Sequence, residues 1–175
     1  NVGKLGKTGW MWYIFTPNKY ENLPHNVKII PMTIEQFNNL MQDKIGVNPH
    51  NFLLPNGTPS KNVSDFYVAH GKIFEDYILD ADLWGFTNWD IVYGELSKFI
   101  PDELLEKCDI FSDEINTING IFTLVRNTKK MNELFKEIPE WEMKFTTHQL
   151  FGTDEYDFTK VAQKIPNFIF PMYYP

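Results

Sequence analysis

The sequence predicts an α/β fold in which helices cover a largely parallel β-sheet. Strand-like apolar runs alternate with segments of helical periodicity along most of the chain. The chain has 175 residues, of which 43% are hydrophobic and 22% charged, as in an ordinary globular protein. We therefore expect a single domain over residues 1–175, with one sizeable core.

The strands are predicted from short apolar runs that end at Pro, Gly or Asn. The run at residues 83–87 contains two aromatic side chains and is expected to be buried on both faces. Residues 1–9 are rich in Gly and Lys and are predicted to form a loop. The predicted strands cover residues 10–16, 27–30, 83–87, 110–112 and 120–125.

The helices are predicted from apolar residues at helical spacing and from capping residues. Thr33 followed by Gln36 matches a capping box, and Ser64 is expected to cap the next helix. Residues 48–62, with three prolines, are predicted to form a long loop, and the chain is expected to be irregular from Pro166. The predicted helices cover residues 33–45, 65–79, 129–138 and 158–163, with a shorter one beginning near Pro101.

Charge and cysteine content restrict the function classes. The net charge of −7 argues against general nucleic-acid binding, which requires clustered Lys and Arg. The single cysteine, Cys108, excludes an internal disulfide. No apolar run reaches the roughly 18 residues of a transmembrane helix, and the N-terminus has no signal-peptide core. We therefore expect a cytoplasmic protein without a membrane span.

Asp90 is the first candidate metal ligand. It follows the predicted buried strand at residues 83–87, and ligands bind at the carboxyl ends of strands in open α/β sheets. A carboxylate there is costly unless it is exposed or neutralised by a partner. A divalent cation would neutralise it; the alternative is an ordinary Asp in a strand-to-loop turn.

Residues 83–96 carry a resemblance to a known family. Their sequence, Leu-Trp-Gly-Phe-Thr-Asn-Trp-Asp-Ile-Val-Tyr-Gly-Glu-Leu, follows a helix that opens with Ser-Asp-Phe at residues 64–66. This order resembles nucleotide-sugar-dependent glycosyltransferases of the GT-A fold, above all the small polysaccharide-type transferases of bacteria and large algal viruses. Those enzymes carry a Trp-Gly-Tyr-x-Asp-x-Asp-x-x-x-Gly-Asp run. The resemblance covers about residues 10–160 and implies a GT-A-like α/β/α sandwich.

The chain departs from the family pattern in two places. The first acid of the family's Asp-x-Asp motif is Asn88 here, so metal binding would rely on Asp90 and on the nucleotide diphosphate. The family also begins with a strand and helix that hold the nucleotide base. Residues 10–16 resemble the second strand, so that first unit is expected to be absent from this sequence.

The resemblance implies a donor site for a nucleotide-diphosphate sugar, by family analogy a UDP-sugar. Asp90 would bind Mn²⁺ or Mg²⁺, which stabilises the departing diphosphate. Asp65 would accept hydroxyl groups of the donor sugar, Asn88 a ribose hydroxyl, and Trp89 would wall the sugar or ribose. His148 is a second candidate metal ligand, with a purely structural role as its alternative.

The acceptor side is implied to lie at Asn119 and Gly120, where glycine permits close approach. Asp154 and Glu155 are the candidates for the base that an inverting transfer requires; the alternative is a solvated turn or helix cap. The acceptor would be a glycan or glycoprotein, as in the viral enzymes that glycosylate the major capsid protein. A viral enzyme would act in the host cytoplasm.

Two other functions compete with a glycosyltransferase. A metal-dependent phosphohydrolase or nuclease would need clustered carboxylates, and Asn88 in place of an acid weakens this alternative. A non-catalytic carbohydrate-binding module is compatible with the aromatic content of 16%.

Overall fold

The computed structural model describes residues 2–6, 9–49, 61–88 and 90–170, and a mixed seven-stranded β-sheet forms its centre. The strands are β1 Val2–Gly6, β2 Gly9–Thr16, β3 Val27–Pro31, β4 Leu83–Thr87, β5 Ile110–Ser112, β6 Phe122–Arg126 and β7 Phe168–Ile169. Their order across the sheet is β3-β2-β1-β4-β6-β5-β7. The mixed α/β class predicted from the sequence is confirmed.

The sheet is not mostly parallel, and that part of the prediction is wrong. Among the described strands, β1 runs antiparallel to β2 and β4, and β6 runs antiparallel to β4 and β5. The pairs β2–β3 and β5–β7 are parallel. Because β1 and β6 each run against both neighbours, antiparallel pairing predominates.

The N-terminal residues also differ from the prediction of a loop. β1 pairs with β2 from Val2–Tyr13 to Gly6–Gly9, and on its other edge it pairs with β4. A Gly- and Lys-rich segment has little intrinsic strand preference. Backbone hydrogen bonding to a strand on each side is what places it in the sheet, and local composition does not reveal this.

The strand β4 has the predicted burial on both faces, since all five of its residues are buried. Trp84 and Phe86 join the larger of two hydrophobic clusters, and Leu83 joins the smaller one on the other side. Helices cover both sides. The larger cluster includes Met41 of one helix and Phe145 of another, and the smaller includes Leu105.

The first helix, α1 Ile34–Ile45, confirms its prediction in detail. The Thr33 hydroxyl accepts a hydrogen bond from the Gln36 backbone N–H at 3.2 Å, and the Gln36 side chain accepts one from Thr33 at 2.8 Å. This is the predicted capping box. Gly46 ends the helix in the left-handed conformation, with φ 77°.

The helix predicted over residues 65–79 is divided into three short segments. A 3₁₀ helix Lys61–Ala69 leads into α2 His70–Ile73, and a 3₁₀ turn Glu75–Tyr77 follows. The predicted start at Ser64 is therefore wrong. The change in helix type occurs where the chain packs closely on β4. A Cβ atom placed on Gly71 would lie only 2.3 Å from the Trp84 indole.

The second half of the chain adds short helices around the sheet. The predicted helices near Pro101 and at residues 158–163 are present. The one predicted over 129–138 consists of a short α-helix and the 3₁₀ helix Leu134–Glu137. The α-helix Trp141–Thr146 was not predicted, and β7 lies where an irregular tail was expected. The segments are the 3₁₀ helix Leu96–Lys98, α3 Asp102–Lys107, α4 Lys129–Asn132, α5 Trp141–Thr146, the π-helical turn Thr153–Asp157 and α6 Phe158–Ala162.

Most of the predicted loop at residues 48–62 lies outside the described residues. Across the part of the chain that is described, none of the helices has the length and apolar character needed to cross a bilayer.

Candidate functional site

Several strands end at one edge of the sheet, and the candidate site lies along that edge. β2 and β4 both run against β1, and β4 and β5 both run against β6. The carboxyl ends of β2, β4 and β5 therefore lie on the same side. The residues that follow β4 include Asn88 and Asp90, and the Asn119 backbone N–H donates to the Ser112 hydroxyl at the end of β5 at 3.0 Å.

The structure brings the predicted base residues and the predicted acceptor-side glycine together. A Cβ atom on Gly120 would lie 2.9 Å from Asp154 Oδ2 and 3.4 Å from Glu155 Oε1. The glycine therefore leaves room for two carboxylates that a larger residue would displace. Gly152, with φ 64°, turns the chain into the π-helical turn that carries both acids.

Asp154 is not in a solvated turn, because its side chain is only 4% exposed. Burial raises its pKa to about 7, and the negative charges of Glu155 and Asp65 act in the same direction. Backbone N–H groups of the turn partly oppose this by stabilising the carboxylate. Asp154 is thus a carboxyl group that exchanges its proton near neutral pH, whereas Glu155 is exposed.

The Tyr67 phenol is influenced by both of the acidic residues in question, Asp154 and Asp90. Burial raises the pKa of its phenol, and the carboxylates of Asp154 and Asp90 raise it further. Both carboxylates therefore lie close enough to the phenol to act on its charge. Asp90 itself is exposed in the turn after β4, so water or a ligand can reach it.

Asn88 is half-buried between β4 and a groove of about 570 Å³. Its backbone carbonyl accepts a hydrogen bond from the Thr87 hydroxyl at 3.1 Å. Trp12 and Tyr93 also line the groove, and their rings stack with centroids 5.3 Å apart. Trp89, the predicted wall of the sugar or ribose, lies outside the described residues.

Asp65 holds the backbone of the acidic turn in place. It is fully buried, and its carboxylate accepts hydrogen bonds from the backbone N–H groups of Thr153 at 2.6 Å and Phe151 at 3.2 Å. Instead of capping its own helix, it caps a segment far away in sequence. Its two oxygens are directed at that backbone, which is a different task from the predicted contact with sugar hydroxyls.

Asn119 orders the chain beside Gly120. Its side-chain oxygen accepts a hydrogen bond from the Ile121 N–H at 2.9 Å, and its carbonyl accepts one from the Thr123 hydroxyl at 2.8 Å. These bonds fix the local conformation of the chain between β5 and β6, where Gly120 lies.

The two predicted metal ligands, Asp90 and His148, both stand at exposed positions. His148 is exposed in the bend after α5. Within residues 2–6, 9–49, 61–88 and 90–170, no group of three His, Cys, Asp or Glu side chains is arranged to hold a metal ion. The donors that are present near β4, the Asp90 carboxylate and the Asn88 amide, are hard oxygen ligands of the kind that Mg²⁺ and Mn²⁺ accept, with phosphate oxygens completing the shell.

A second, apolar cavity of about 340 Å³ opens beside this edge. It is lined by residues of β2, α1 and the helical segment 61–74, and it includes Tyr67, His70 and Thr87. Sequence reasoning missed Tyr67 and His70 because both stand at apolar positions of a predicted core helix. The available signal was an imidazole on an otherwise apolar helix face.

The comparisons with known proteins identify a family but do not indicate an activity. Residues 6–174 match a family of unknown function, DUF6625. Neither a curated protein nor a solved structure matches the chain. Since the match extends over nearly the whole sequence, the chain belongs to the DUF6625 family.

Proposed function

We propose that this member of the DUF6625 family is a metal-dependent glycosyltransferase that transfers a sugar from a nucleotide-diphosphate donor to a glycan or glycoprotein. The observation that carries the proposal is the approach of Gly120 to Asp154 and Glu155. These residues belong to separate motifs of the GT-A resemblance, and they meet at the sheet edge that also carries Asp90. We propose in addition that the donor is a UDP-sugar, that the fold is GT-A-like and that the acceptor is a viral capsid glycan.

The donor side of the proposal rests on Asp90 and Asn88. Asp90 would hold Mn²⁺ or Mg²⁺ together with the donor phosphates, and the bound cation would supply Lewis acidity for the departing diphosphate. Asn88 offers an amide for a ribose hydroxyl. The exposure of Asp90 is consistent with a ligand that completes the metal shell only when the nucleotide is present.

The acceptor side rests on the chemistry of Asp154. In an inverting transfer, the acceptor hydroxyl attacks the anomeric carbon, the bond to the diphosphate breaks, and a base takes the hydroxyl proton. A base works best when its pKa lies near the working pH. With a pKa of about 7, Asp154 can hold that proton in neutral solution and release it again. Gly120 lets this carboxylate lie close to the backbone on the proposed acceptor side.

A carbohydrate-binding module is the second candidate, because the groove beside Asn88 is lined by Trp10, Trp12 and Tyr93. Aromatic rings of this kind provide flat surfaces for sugars. Such a module would bind sugars without a nucleotide, and this difference can be measured.

The test is thermal unfolding of the chain with UDP, with Mn²⁺ and with both. We expect the Tm to rise only when both are present, by about 5–10 °C at a hundredfold excess over Kd, because ligands that bind the native state stabilise it by mass action. Asp90→Ala should abolish the rise, whereas Asp43→Ala, on the exposed face of α1, should leave it unchanged.

An unchanged rise in Asp90→Ala would remove the metal assignment. A rise with free sugars alone would favour the carbohydrate-binding module, and release of phosphate from simple esters would favour a phosphohydrolase.

A further inference from the structure

The segment that follows β4 leaves the sheet and is bonded back to it at Tyr93. The Tyr93 hydroxyl is hydrogen-bonded to the hydroxyl of Thr87, the last residue of β4. It also donates to the backbone carbonyl of Ile121 at 2.9 Å, directly before β6 begins at Phe122. At this point β4 and β6 are paired, with Thr87 opposite Phe122. One phenol group therefore joins the segment to both strands of the pair.

The ring of Tyr93 packs against two aromatic side chains of the sheet. It stacks on Trp12 of β2 with centroids 5.3 Å apart and an angle of 18° between the ring planes. It also lies 5.5 Å from the ring of Phe122 in β6. Aromatic pairs of this kind prefer a defined mutual orientation. Because these contacts fix the ring, they also define the position of its hydroxyl group.

The Tyr93 phenol keeps its proton in neutral solution. Burial raises its pKa above the ordinary value, and the carboxylate of Asp113 raises the pKa further, while the hydrogen bond with Thr87 acts in the opposite direction. The hydroxyl is therefore able to donate at neutral pH, as its bond to the Ile121 carbonyl requires.

The loop that these bonds close carries the candidate metal ligand. Asp90 stands midway between Thr87 and Tyr93 and is exposed, and Asn88 directly follows Thr87. Bonds that fix both ends of a short loop restrict the conformations available at its centre. A loop that is already ordered loses less conformational entropy when a ligand binds, and its affinity is higher for that reason.

The bond to Ile121 connects the loop with the proposed acceptor side. Ile121 is preceded by Gly120, whose backbone lies close to Asp154. The Tyr93 hydroxyl is thus bonded to the end of the strand that leads to Asn88 and to the backbone next to Gly120. It defines where the loop stands relative to the acidic turn.

We propose that Tyr93 is a positioning residue of the candidate site: its hydroxyl holds the loop that carries Asp90 in the conformation that binds a divalent cation together with the donor diphosphate. It acts through Asp90 and needs no contact of its own with the substrate. Side chains that orient a metal ligand commonly affect metal affinity in this way. The inference deepens the proposed function and rests on it for the identity of the ligand.

The test measures how much Mn²⁺ increases the affinity for UDP, from titrations in Mn²⁺ and in EDTA. Tyr93→Phe retains the aromatic ring but removes the hydroxyl. We expect the gain in affinity due to Mn²⁺ to fall about three- to tenfold, the usual effect of one lost hydrogen bond, with the affinity in EDTA unchanged. A residue with only a structural role would lower the Tm without altering this gain.

The partner hydroxyl provides a second pair of variants. Thr87→Val removes that hydroxyl and should lower the same gain, whereas Thr87→Ser retains it and should preserve the gain. Because both losses act through one hydrogen bond, Tyr93→Phe combined with Thr87→Val should lower the gain by less than the product of the separate effects. Tyr20→Phe, at a tyrosine that is 55% exposed after β2, is the matched control and should behave as the wild type.

A Tyr93→Phe variant with the full Mn²⁺-dependent gain would overturn the inference and leave the proposed function standing. So would separate effects of Tyr93→Phe and Thr87→Val that multiply in the double variant. A wild type whose affinity for UDP does not depend on Mn²⁺ would contradict the proposed function, and the role of Tyr93 with it.

Discussion

At the scale of single residues, Asp154 has the most unusual environment in the candidate site. Its carboxyl group is buried, and the negative charges of Glu155 and Asp65 disfavour its ionisation. An acid with a raised pKa destabilises the native state when it ionises, and such a cost is commonly found where the group serves chemistry. Replacement of Asp154 should therefore lower activity without lowering stability.

We predict that Asp154→Asn abolishes transfer and removes a pH dependence of stability. The folded pKa of about 7 lies above the value of 3.8 for an unperturbed Asp. The native state therefore holds this proton more tightly than the unfolded state, and stability falls as pH rises from about 4 to about 7. The free energy of unfolding of the wild type and of Asp154→Asn should be measured with denaturant at pH 4 and pH 8. The stability of the variant relative to the wild type should be higher at pH 8 than at pH 4.

The wild-type transfer rate should rise with pH through about 7, since the base must be ionised to accept a proton. A rate that is independent of pH between 6 and 8, or an Asn variant with wild-type activity, would contradict the assignment of Asp154 as the base.

At the scale of elements, the site depends on the approach of the π-helical turn Thr153–Asp157 to the segment between β5 and β6. π-Helical turns are rare and are frequently found at functional sites. The helix α6, which follows the turn directly, is bonded to the same segment: the Thr159 hydroxyl accepts a hydrogen bond from the Ile118 N–H at 2.8 Å. Gly120 lies at the point of closest approach.

We predict that Gly120→Ala lowers activity at least tenfold with a loss of stability below about 1 kcal/mol. The added Cβ would lie 2.9 Å from Asp154 Oδ2, so the carboxylate must move, and small displacements of catalytic groups are costly for rate. The loss of stability is small because the atom that must move is the end of the Asp154 side chain and not backbone. Steady-state kinetics and denaturant unfolding measure the two effects separately.

Gly94→Ala is the matched control, because a Cβ at that position meets nothing within 4 Å. It should retain activity and stability. Equal activity of the Gly120 and Gly94 variants would show that the close approach has no role in the reaction.

At the scale of the whole molecule, Asp65 connects the two halves of the chain. Its carboxylate accepts N–H groups from Phe151 and Thr153. The 3₁₀ helix Lys61–Ala69 thereby positions the acidic turn, and the two elements pack directly against each other. The charge of Asp65 also contributes to the raised pKa of Asp154.

We predict that Asp65→Asn destabilises the protein by about 1–3 kcal/mol, because an amide offers one acceptor where two N–H groups need partners. The same change removes a negative charge and should shift the pH–rate profile of Asp154 to lower pH. Denaturant unfolding and a pH–rate profile measure these effects. A profile that does not move, or moves to higher pH, would show that Asp65 has no electrostatic influence on the base.

Local features of the sequence were sufficient for much of the secondary structure. The capping box at Thr33, the aromatic run of β2 and the burial of β4 on both faces all follow from residue type and spacing over a few positions. Gly120, Asp154 and Glu155 are separate candidates implied by the family resemblance, and the structure brings those three together.

What the sequence by itself determined was thus the mixed α/β class, the position of most strands and α1, and a set of candidate residues. Only the tertiary structure decided the strand directions, the strand formed by β1, the burial of Asp154 and the cavity around His70. Each of these depends on contacts between separate segments of the chain, as in the pairing of β1 with β4. Periodicity and capping report interactions within one element, so they contain no information on which elements meet.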